Sequence, residues 1–306
     1  MSRIIVTGAT SMLGIAISRI ASSRGDEVLC VVRPKSKKIA NLPKGKNISI
    51  LEANLDSYAS LDLGQGYDEF YHLAWDSTYG AERDNVLVQE KNIAFTIDAV
   101  KVAFKSGCKV FVGAGSQAEY GIAKDPLTSK TPIQPQSAYG IAKYAAGRMS
   151  GLLSEQLGMR HNWVRILSMY GNNDSPNTLI MYTIAELNAG KSPQLTRCEQ
   201  IWDYVHCEDA ARAILAIGKL GLPGKTYPLG SGKARRLSEY IEDIRKIIDP
   251  TIELHFGAKE YFAHQPMYLC ADISELTKDT GWKPEIDFSN GIRMLIEQIK
   301  SKSSNY

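Results

Sequence analysis

The chain has 306 residues, of which 44% are hydrophobic and 23% are charged, which allows one large α/β unit or two smaller domains that share an interface. The net charge of +3 is small and dispersed, so a nucleic acid is not expected as a partner, and no apolar run is long enough to predict a membrane span. Five scattered cysteines without a C-x-x-C pair favour free thiols in a reducing cytosol over disulfides or zinc. We therefore predict a cytoplasmic protein with no bound metal.

The N-terminus combines a buried strand, a glycine turn and a helix. The β-branched run at residues 3–6 is typical of a parallel strand, and an amphipathic helix follows to about Ser23. In a turn of this kind, backbone N–H groups and the helix dipole can hold a pyrophosphate, although Ser11 stands where the usual pattern has its middle glycine. A plain strand-to-helix turn is the alternative. The residues expected to contact the cofactor are Gly8, Thr10, Ser11, Met12, Leu13 and Gly14.

The end of the second strand indicates which dinucleotide the turn would hold. An acidic residue after this strand would bind the ribose hydroxyls of NAD, but the sequence instead has Arg33, followed by a lysine-rich stretch. A planar guanidinium attracts a 2′-phosphate, so NADP(H) is favoured and NAD(H) remains possible. A solvated basic loop is the alternative, which explains the lysines nearly as well and Arg33 less well.

Strand and helix signals alternate through the first half of the chain. Further strands are predicted at 48–51, 68–74, 109–112 and 161–167, and long helices at about 83–106 and 137–157. This order predicts an α/β fold with a Rossmann-like, doubly wound parallel sheet. His72 is expected to be a buried strand residue and not a catalyst. Further cofactor contacts are predicted near the strand ends and on the first long helix, at Asn54, Leu55, Leu73, Ala74, Trp75, Asn92 and Ile166.

A possible catalytic set lies in the same region. Tyr139 and Lys143 are four residues apart, so they share one face of the helix that Ser137 is expected to cap. A protonated Lys143 would lower the pKa of Tyr139 and let the phenol exchange a proton with a sugar hydroxyl. Ser116 follows the fifth strand and can hydrogen-bond the same oxygen. An isolated Y-x-x-x-K is weak evidence, since a half-buried tyrosine beside a solvated lysine would give the same pattern.

Several further motifs follow in a specific order along nearly the whole chain. With these motifs, the chain resembles the extended short-chain dehydrogenase/reductase superfamily, and within it the NAD(P)-dependent nucleotide-sugar epimerases, dehydratases and reductases. The resemblance implies that Ser116, Tyr139 and Lys143 form a catalytic triad, that Tyr139 is the acid/base, and that Tyr139 and Lys143 lie against the cofactor. The motifs are Thr7–Gly14, Tyr71–Ala74, Ser116 with Tyr120-Gly121, Tyr139 with Lys143, Arg165 with Tyr170-Gly171, Trp202–Ala210, Gly230–Gly232 and Gly281–Pro284.

The chain also departs from the family pattern. Related dehydratases carry Asp-Glu after the catalytic Ser/Thr, whereas this chain has Gln117-Ala118, and Glu119 is out of register. Many epimerases have Arg at Trp202, and a family Asn is replaced by Ser168. The substrate diphosphate must then be held differently, for example by Arg197, Arg235 or Arg236, although Arg235 and Arg236 are equally well explained as a solvated pair. The predicted substrate-binding residues are Gln117, Arg197, Trp202 and Arg235.

The sequence thus predicts a two-domain oxidoreductase for a nucleotide-linked sugar. Residues 1–165 and 199–220 would form the NAD(P)-binding Rossmann domain, and residues 166–198 and 221–306 a smaller, discontinuous C-terminal substrate domain. The favoured reaction is reduction of a 4-keto-(6-deoxy)hexose. A 4-epimerase with tightly held NAD is the first alternative. A non-catalytic nucleotide sensor is the second, and the complete triad counts against it. A homodimer paired through the two long helices is expected.

Overall fold

The alternating pattern of the sequence is built as a parallel sheet with helices on both faces. The computed structural model describes residues 1–261 and 265–303, and all statements about the structure refer to these residues. In chain order, the strands are β1 (Arg3–Thr7), β2 (Glu27–Val32), β3 (Ile48–Glu52), β4 (Glu69–His72), β5 (Val110–Ser116), β6 (Arg160–Ile166), β7 (Ser168–Tyr170), β8 (Ile201–His206), β9 (Thr226–Leu229) and β10 (Ala234–Arg236).

The helices connect these strands and cover the sheet. In chain order, they are α1 (Met12–Ser23), α2 (Val86–Lys105), α3 (Ala138–Gln156), α4 (Leu179–Asn188), α5 (Cys207–Leu220), α6 (Leu237–Ile248), α7 (Ser274–Thr280) and α8 (Phe288–Ser303). The first long helix begins later than predicted, because the Asn85 side chain accepts hydrogen bonds from Leu87 N–H and Val88 N–H and caps α2. The residues before that cap form a separate 3₁₀ turn, Ala81–Asp84.

The large sheet has seven parallel strands in the order β3-β2-β1-β4-β5-β6-β9. The chain winds outward from β1 in one direction and from β4 in the other, which confirms the predicted doubly wound, Rossmann-like fold. The carboxyl ends of parallel strands lie at one edge of the sheet, and ligands bind at that edge where the winding direction changes. The edge beside β1 and β4 is therefore the expected location of a cofactor.

Two hydrophobic layers cover the faces of this sheet. One layer contains α1 and α5 and includes the buried side chains of Ile17, Ile214 and Tyr71. The other contains α2 and the C-terminal part of α3, and includes Val100 and Phe111. At about 25 cal/mol per Å² of buried apolar surface, such layers supply most of the favourable free energy of folding.

A smaller unit is built around a second sheet of three strands in the order β10-β8-β7. Helices α4, α6 and α8 surround it and share a cluster that includes Ile184, Ile244 and Leu295. The predicted domain boundaries differ from the structure in two places. β8 was assigned to the cofactor domain but pairs with β7 and β10, and β9 was assigned to the substrate domain but pairs with β6. Each strand follows its hydrogen-bonding partner, which a local sequence pattern does not identify.

The sequence predicted no membrane span and no disulfide bonds. Within residues 1–261 and 265–303, no helix has both the length and the apolar character needed to cross a membrane. All five cysteines are buried free thiols.

Candidate active site

The glycine turn after β1 lies against the end of β4. Gly8 has a φ of +65°, and a Cβ at this position would lie 2.8 Å from the backbone nitrogen of Ala74. A Cβ on Gly14 would lie 2.5 Å from the carbonyl oxygen of Gly8. Side chains are therefore excluded at both positions, and the turn presents backbone to the sheet edge. The residues present fit the pyrophosphate of a dinucleotide, which requires close approach of backbone N–H groups.

Ser11 is the N-cap of α1, at the place of the missing middle glycine. Its φ of −71° is accessible to any residue, and its Oγ accepts a hydrogen bond from Gly14 N–H at 3.0 Å. The substitution therefore preserves the turn. Thr10 and Met12 are partly exposed, whereas the side chain of Leu13 is buried in the core, so Leu13 can offer a cofactor only its backbone.

The end of β2 leaves Arg33 exposed, and no described residue forms a hydrogen bond or an ion pair with its side chain. A nearby acid was not anticipated from the sequence. Glu52, at the end of β3, accepts a hydrogen bond from Lys35 N–H at 3.2 Å, which places a carboxylate on the same loop. Asn54 is exposed and Leu55 is partly buried at the same edge of the sheet.

The other predicted cofactor residues also lie near the carboxyl ends of the strands. Leu73 and Ala74 are partly buried directly after β4, and Ile166 is partly buried at the end of β6. Asn92, also predicted as a cofactor contact, is buried on α2. Its Oδ1 accepts from Asp76 N–H at 2.9 Å and its Nδ2 donates to the Asp76 carbonyl at 3.0 Å, so its carboxamide holds the loop after β4.

His72 is buried in this layer, as expected, and its Nδ1 lies 2.8 Å from Thr7 Oγ1. Burial, together with the charge of Lys143, lowers the pKa of His72 to about 3, so it is neutral at pH 7. A neutral, enclosed imidazole agrees with a structural role.

Ser116 ends β5 and begins a 3₁₀ turn. Its Oγ accepts from Ala118 N–H at 3.2 Å, and its own backbone N–H donates to Glu119 Oε1 at 2.8 Å. This reciprocal capping box fixes the serine at the strand end. The hydroxyl proton remains available to donate to a substrate oxygen.

Glu119 is fully buried and points into the protein. Its Oε1 also accepts from Trp163 Nε1 at 2.9 Å, and its Oε2 accepts from Arg165 Nε at 2.7 Å. Both oxygens are therefore used by partners on β6 and by the backbone of Ser116. The observation agrees with the expectation that Glu119 is not placed to protonate a substrate hydroxyl.

Tyr139 and Lys143 occupy the first two turns of α3, where Ser137 caps the helix by accepting from Gly140 N–H at 3.1 Å. The buried Lys143 ammonium donates to the Ala114 carbonyl at 2.7 Å. Its Nζ lies 3.6 Å from the centre of the Trp75 ring and 5.8 Å from that of Tyr139. Burial lowers the pKa of Lys143 to about 7, against an opposing effect of Glu119.

The predicted acidification of Tyr139 by Lys143 is not what the structure shows. Burial raises the pKa of Tyr139 to about 12, although a hydrogen bond with Ser116 and the charge of Arg83 act in the opposite direction. Lys143 is directed towards Ala114 and Trp75, and its own pKa is near neutrality. Tyr139 is therefore protonated at pH 7, which suits a proton donor.

The sequence did not indicate the contacts that Trp75 and Arg83 make with Tyr139. Trp75, predicted as a cofactor contact, meets the Tyr139 ring edge to face at 6.0 Å, and its Nε1 donates to Gln89 Oε1 at 2.9 Å. A contact between Arg83 and Tyr139 was not predicted, but the Arg83 Cζ lies 4.5 Å from the centre of the Tyr139 ring. No local motif links Arg83 to Tyr139, because the contact spans 56 positions of sequence.

The four predicted substrate-binding residues have different surroundings. Gln117 is partly exposed in the turn after Ser116, and Arg197 is exposed before β8. Trp202 is partly buried, and its Nε1 donates to Ser168 Oγ at 2.8 Å. Arg235 is paired with Asp243 at 2.6 Å, and its Cζ lies 4.1 Å from the centre of the Tyr240 ring. These contacts account for the Arg235 side chain without a ligand.

The small unit is joined to the large sheet by a buried carboxylate that the sequence did not reveal. Asp203, on β8, accepts from Ser231 N–H at 2.8 Å, and from Gly232 N–H and Ala271 N–H at 3.1 Å each. A Cβ on Gly230 would lie 2.4 Å from Asp203 Oδ2, which explains the glycine there. The motifs around Trp202 and Gly230 are thus two halves of one structural contact.

Comparisons with known proteins agree with this geometry. Two of the similar curated proteins match over almost their whole length, whereas the match to a third spans about half of that protein. They are an uncharacterized UDP-glucose epimerase of Bacillus subtilis, 22% identical with 98% of each chain covered; CDP-abequose synthase of Salmonella typhimurium, 25% identical with 97% of this chain and 98% of the relative covered; and dTDP-glucose 4,6-dehydratase of Escherichia coli, 28% identical over 56% of this chain and 50% of the relative.

Solved structures share the fold. UDP-glucose 4-epimerase of Thermotoga maritima superposes with a TM-score of 0.89 at 20% identity, covering 98% of this chain and 99% of that one. UDP-N-acetylglucosamine 4-epimerase of Methanobrevibacter ruminantium gives a TM-score of 0.86 at 20% identity, covering 97% and 99%.

A sequence model of the NAD dependent epimerase/dehydratase family matches residues 4–244. The matched region contains the glycine turn, Ser116, Tyr139 and Lys143, which the fold brings to one edge of the sheet. The chain therefore belongs to the NAD-dependent epimerase/dehydratase family, a group of nucleotide-sugar enzymes of the extended short-chain dehydrogenase/reductase type.

Proposed function

We propose that this enzyme reduces a nucleotide-linked 4-keto-(6-deoxy)hexose to the corresponding alcohol, with Ser116, Tyr139 and Lys143 as the catalytic residues. One observation carries the proposal. Ser116, at the end of β5, and Tyr139, in the first turn of α3, face the carboxyl edge of the sheet, while Glu119, the first acid after Ser116 in the chain, is held inside the protein by Arg165. The site thus has a proton donor for a carbonyl oxygen, and Glu119 is not placed to protonate a departing hydroxyl.

The chain's own residues supply the proton and the orientation. The Tyr139 phenol donates its proton to the carbonyl oxygen as that oxygen gains charge, and the Ser116 hydroxyl hydrogen-bonds the same atom. Lys143 is held by Ala114 and Trp75 beside the phenol, where it would contact the ribose of the cofactor. A bound nicotinamide supplies the hydride.

Cofactor preference rests on the loop after β2. The Arg33 side chain is exposed and engages no described residue, so its guanidinium is available for a 2′-phosphate, and we propose NADP(H) as the preferred cofactor. Glu52 acts in the other direction, because its carboxylate lies against the same loop and would repel a phosphate.

The Glu52 contact favours a second candidate function, a 4-epimerase that retains NAD. An epimerase uses the same proton donor, but it must oxidise and then re-reduce the same carbon while holding the cofactor. Relatives named as epimerases are consistent with this reading.

The cofactor experiment distinguishes the two candidates. The purified protein is denatured, any released nicotinamide nucleotide is identified, and the protein is titrated with NADPH and NADH by fluorescence. A reductase should bind NADPH weakly and exchangeably, with a clear preference over NADH, and Arg33→Ala should remove that preference. NAD retained through purification, without an NADPH preference, would establish the epimerase instead.

The catalytic assignment is tested by Tyr139→Phe. Loss of a positioned proton donor should lower turnover about 10²- to 10⁴-fold while cofactor binding is preserved. Tyr144→Phe is the matched control, since Tyr144 lies on the same helix and its hydroxyl forms no hydrogen bond with the described residues. Unchanged turnover in Tyr139→Phe would refute the assignment.

Two further properties belong to the proposal. A nucleotide sugar is the proposed substrate, as expected from relatives named for UDP-, CDP- and dTDP-linked sugars. A homodimer through α2 and α3 is supported by exposed apolar side chains, among them Phe104, Ile141 and Leu152. A cytoplasmic location stays a prediction.

A further inference from the structure

Arg83 is held against the face of the proposed proton donor. It lies in the 3₁₀ turn Ala81–Asp84, is partly buried, and places its Cζ 4.5 Å from the centre of the Tyr139 ring. This is the geometry of a cation–π contact.

The acids on both sides of Arg83 are directed elsewhere. Glu82 Oε2 accepts from Asn85 Nδ2 at 2.6 Å, and Asp84 Oδ1 accepts from Ala138 N–H at 3.1 Å. No described carboxylate lies within ion-pair distance of the Arg83 guanidinium. The Asp84 contact also anchors the turn to the first residue of α3, directly before Tyr139. The position of the guanidinium relative to the phenol is therefore set by the fold.

Of the two cations that face the Tyr139 ring, Arg83 lies nearer to its centre, at 4.5 Å. The other cation, Lys143, lies farther from the Tyr139 ring centre, at 5.8 Å, and donates to the Ala114 carbonyl beneath the Trp75 indole. Its pKa of about 7 leaves its charge incomplete at neutral pH.

The remaining groups around Tyr139 divide by their effect on its pKa. Ser116 lowers it through a hydrogen bond, as Arg83 does through its charge. Glu119 and Tyr79 raise it, although Arg165 pairs with Glu119, and burial raises it more than any other effect. Trp75 packs against the Tyr139 ring and carries no charge. Arg83 is thus the cation that offsets burial at the phenol.

We propose that Arg83 is a positioning residue that holds the Tyr139 phenol in place and stabilises its ionised form, so that Tyr139 can exchange a proton with a substrate oxygen. The inference rests on the proposed role of Tyr139 as the proton donor. On this proposal, the 3₁₀ turn Ala81–Asp84 contributes to acid/base catalysis through Arg83. The same charge assists both directions of the reaction, since it strengthens the phenol as an acid and increases the fraction present as a base.

The decisive measurement does not depend on activity. 3,5-Difluorotyrosine is incorporated at position 139, because its phenol is more acidic than tyrosine and titrates while the protein remains folded. Its ¹⁹F resonance is followed against pH in the otherwise wild-type protein and in Arg83→Gln, Arg83→Lys and Arg148→Gln. Arg148 is the matched control, an exposed arginine of α3 whose side chain has no hydrogen bond or ion pair among the described residues.

We expect Arg83→Gln to move the titration midpoint upward by about 1 pH unit, equivalent to about tenfold less of the ionised phenol at a given pH. Arg83→Lys keeps a positive charge, so its titration midpoint should stay close to the wild-type value. Arg148→Gln should leave the midpoint unchanged. An unshifted midpoint in Arg83→Gln would overturn the proposal.

Kinetics then separate positioning from substrate binding. With unmodified Tyr139, Arg83→Gln should lower kcat about tenfold at pH 7, leave KM nearly unchanged and move the pH–rate limb of Tyr139 upward. A raised KM with an unshifted midpoint would make Arg83 a substrate contact instead. Retained turnover in Tyr139→Phe would refute the proposed function, whereas the fluorotyrosine titration would still report whether Arg83 acts on the phenol.

Discussion

The indole Nε1 of Trp202 donates a hydrogen bond to Ser168 Oγ across 2.8 Å. These are two of the positions at which the chain departs from the pattern of the nucleotide-sugar enzymes it resembles. The contact joins β7 to β8, which are neighbours in the small sheet. The two departures are therefore coupled, and the indole N–H is not free to contact a substrate phosphate.

This coupling predicts non-additive effects on stability. Trp202→Phe and Ser168→Ala each remove the hydrogen bond, which is worth about 0.5–1.5 kcal/mol. The double variant should lose the hydrogen bond only once, so its destabilisation should be smaller than the sum of the two single effects. Urea unfolding of all four proteins measures the coupling. Strict additivity would show that the contact contributes nothing to folding.

The buried pair of Glu119 and Arg165 should be essential for stability. Replacing Glu119 with Ala leaves a buried guanidinium uncompensated and removes the acceptor of Ser116 N–H, so the free energy of unfolding should fall by about 3–5 kcal/mol. Denaturant unfolding provides the measurement. Glu155→Ala, at an exposed position of α3, is the control and should change little. Equal stability of the two variants would contradict this account of the network.

The lowered pKa of Lys143 should make the free energy of unfolding of the cofactor-free protein depend on pH. Its pKa is lowered by burial from 10.5 to about 7, so between these values the folded state binds fewer protons than the unfolded state. The contribution of Lys143 to stability is therefore least favourable near pH 7 and improves as the pH rises, by at most about 1.4 kcal/mol per pH unit.

Lys143→Met removes this titration and provides the reference. The difference in unfolding free energy between wild type and Lys143→Met should shift in favour of wild type between pH 7 and 9. It can be measured by chemical denaturation at three pH values. Parallel pH profiles for the two proteins would show that Lys143 stays charged in the folded state.

The proposed dimer places exposed apolar side chains of α3 at an interface. Ile141 and Leu152 are 55% and 54% exposed in the single chain, and they project from similar sides of the helix. Leu152→Glu should therefore convert a dimer into a 33.8 kDa monomer, as measured by light scattering after size exclusion. Leu220→Glu, at the end of α5, is the control. A monomeric wild-type protein at micromolar concentration would remove the basis for the interface.

Much of the cofactor half was determined by local sequence. Strands β1, β2 and β4, the glycine turn and the cap of α3 at Ser137 were all predicted, because hydrophobic periodicity and turn chemistry act over a few residues. Ser116, Tyr139 and Lys143 were predicted from short motifs, and the parallel sheet brings their elements to one edge.

Only the tertiary structure decided the contacts between distant segments. Three contacts join residues that are far apart in sequence. β9 pairs with β6, Glu119 pairs with Arg165, and Arg83 packs against the ring of Tyr139. The protonation states of Tyr139 and Lys143 also depend on contacts between distant segments. A sequence shows that Lys143 is one helical turn from Tyr139, but the pKa of each group depends on burial and on charges contributed by other elements. Those quantities exist only once the chain has folded.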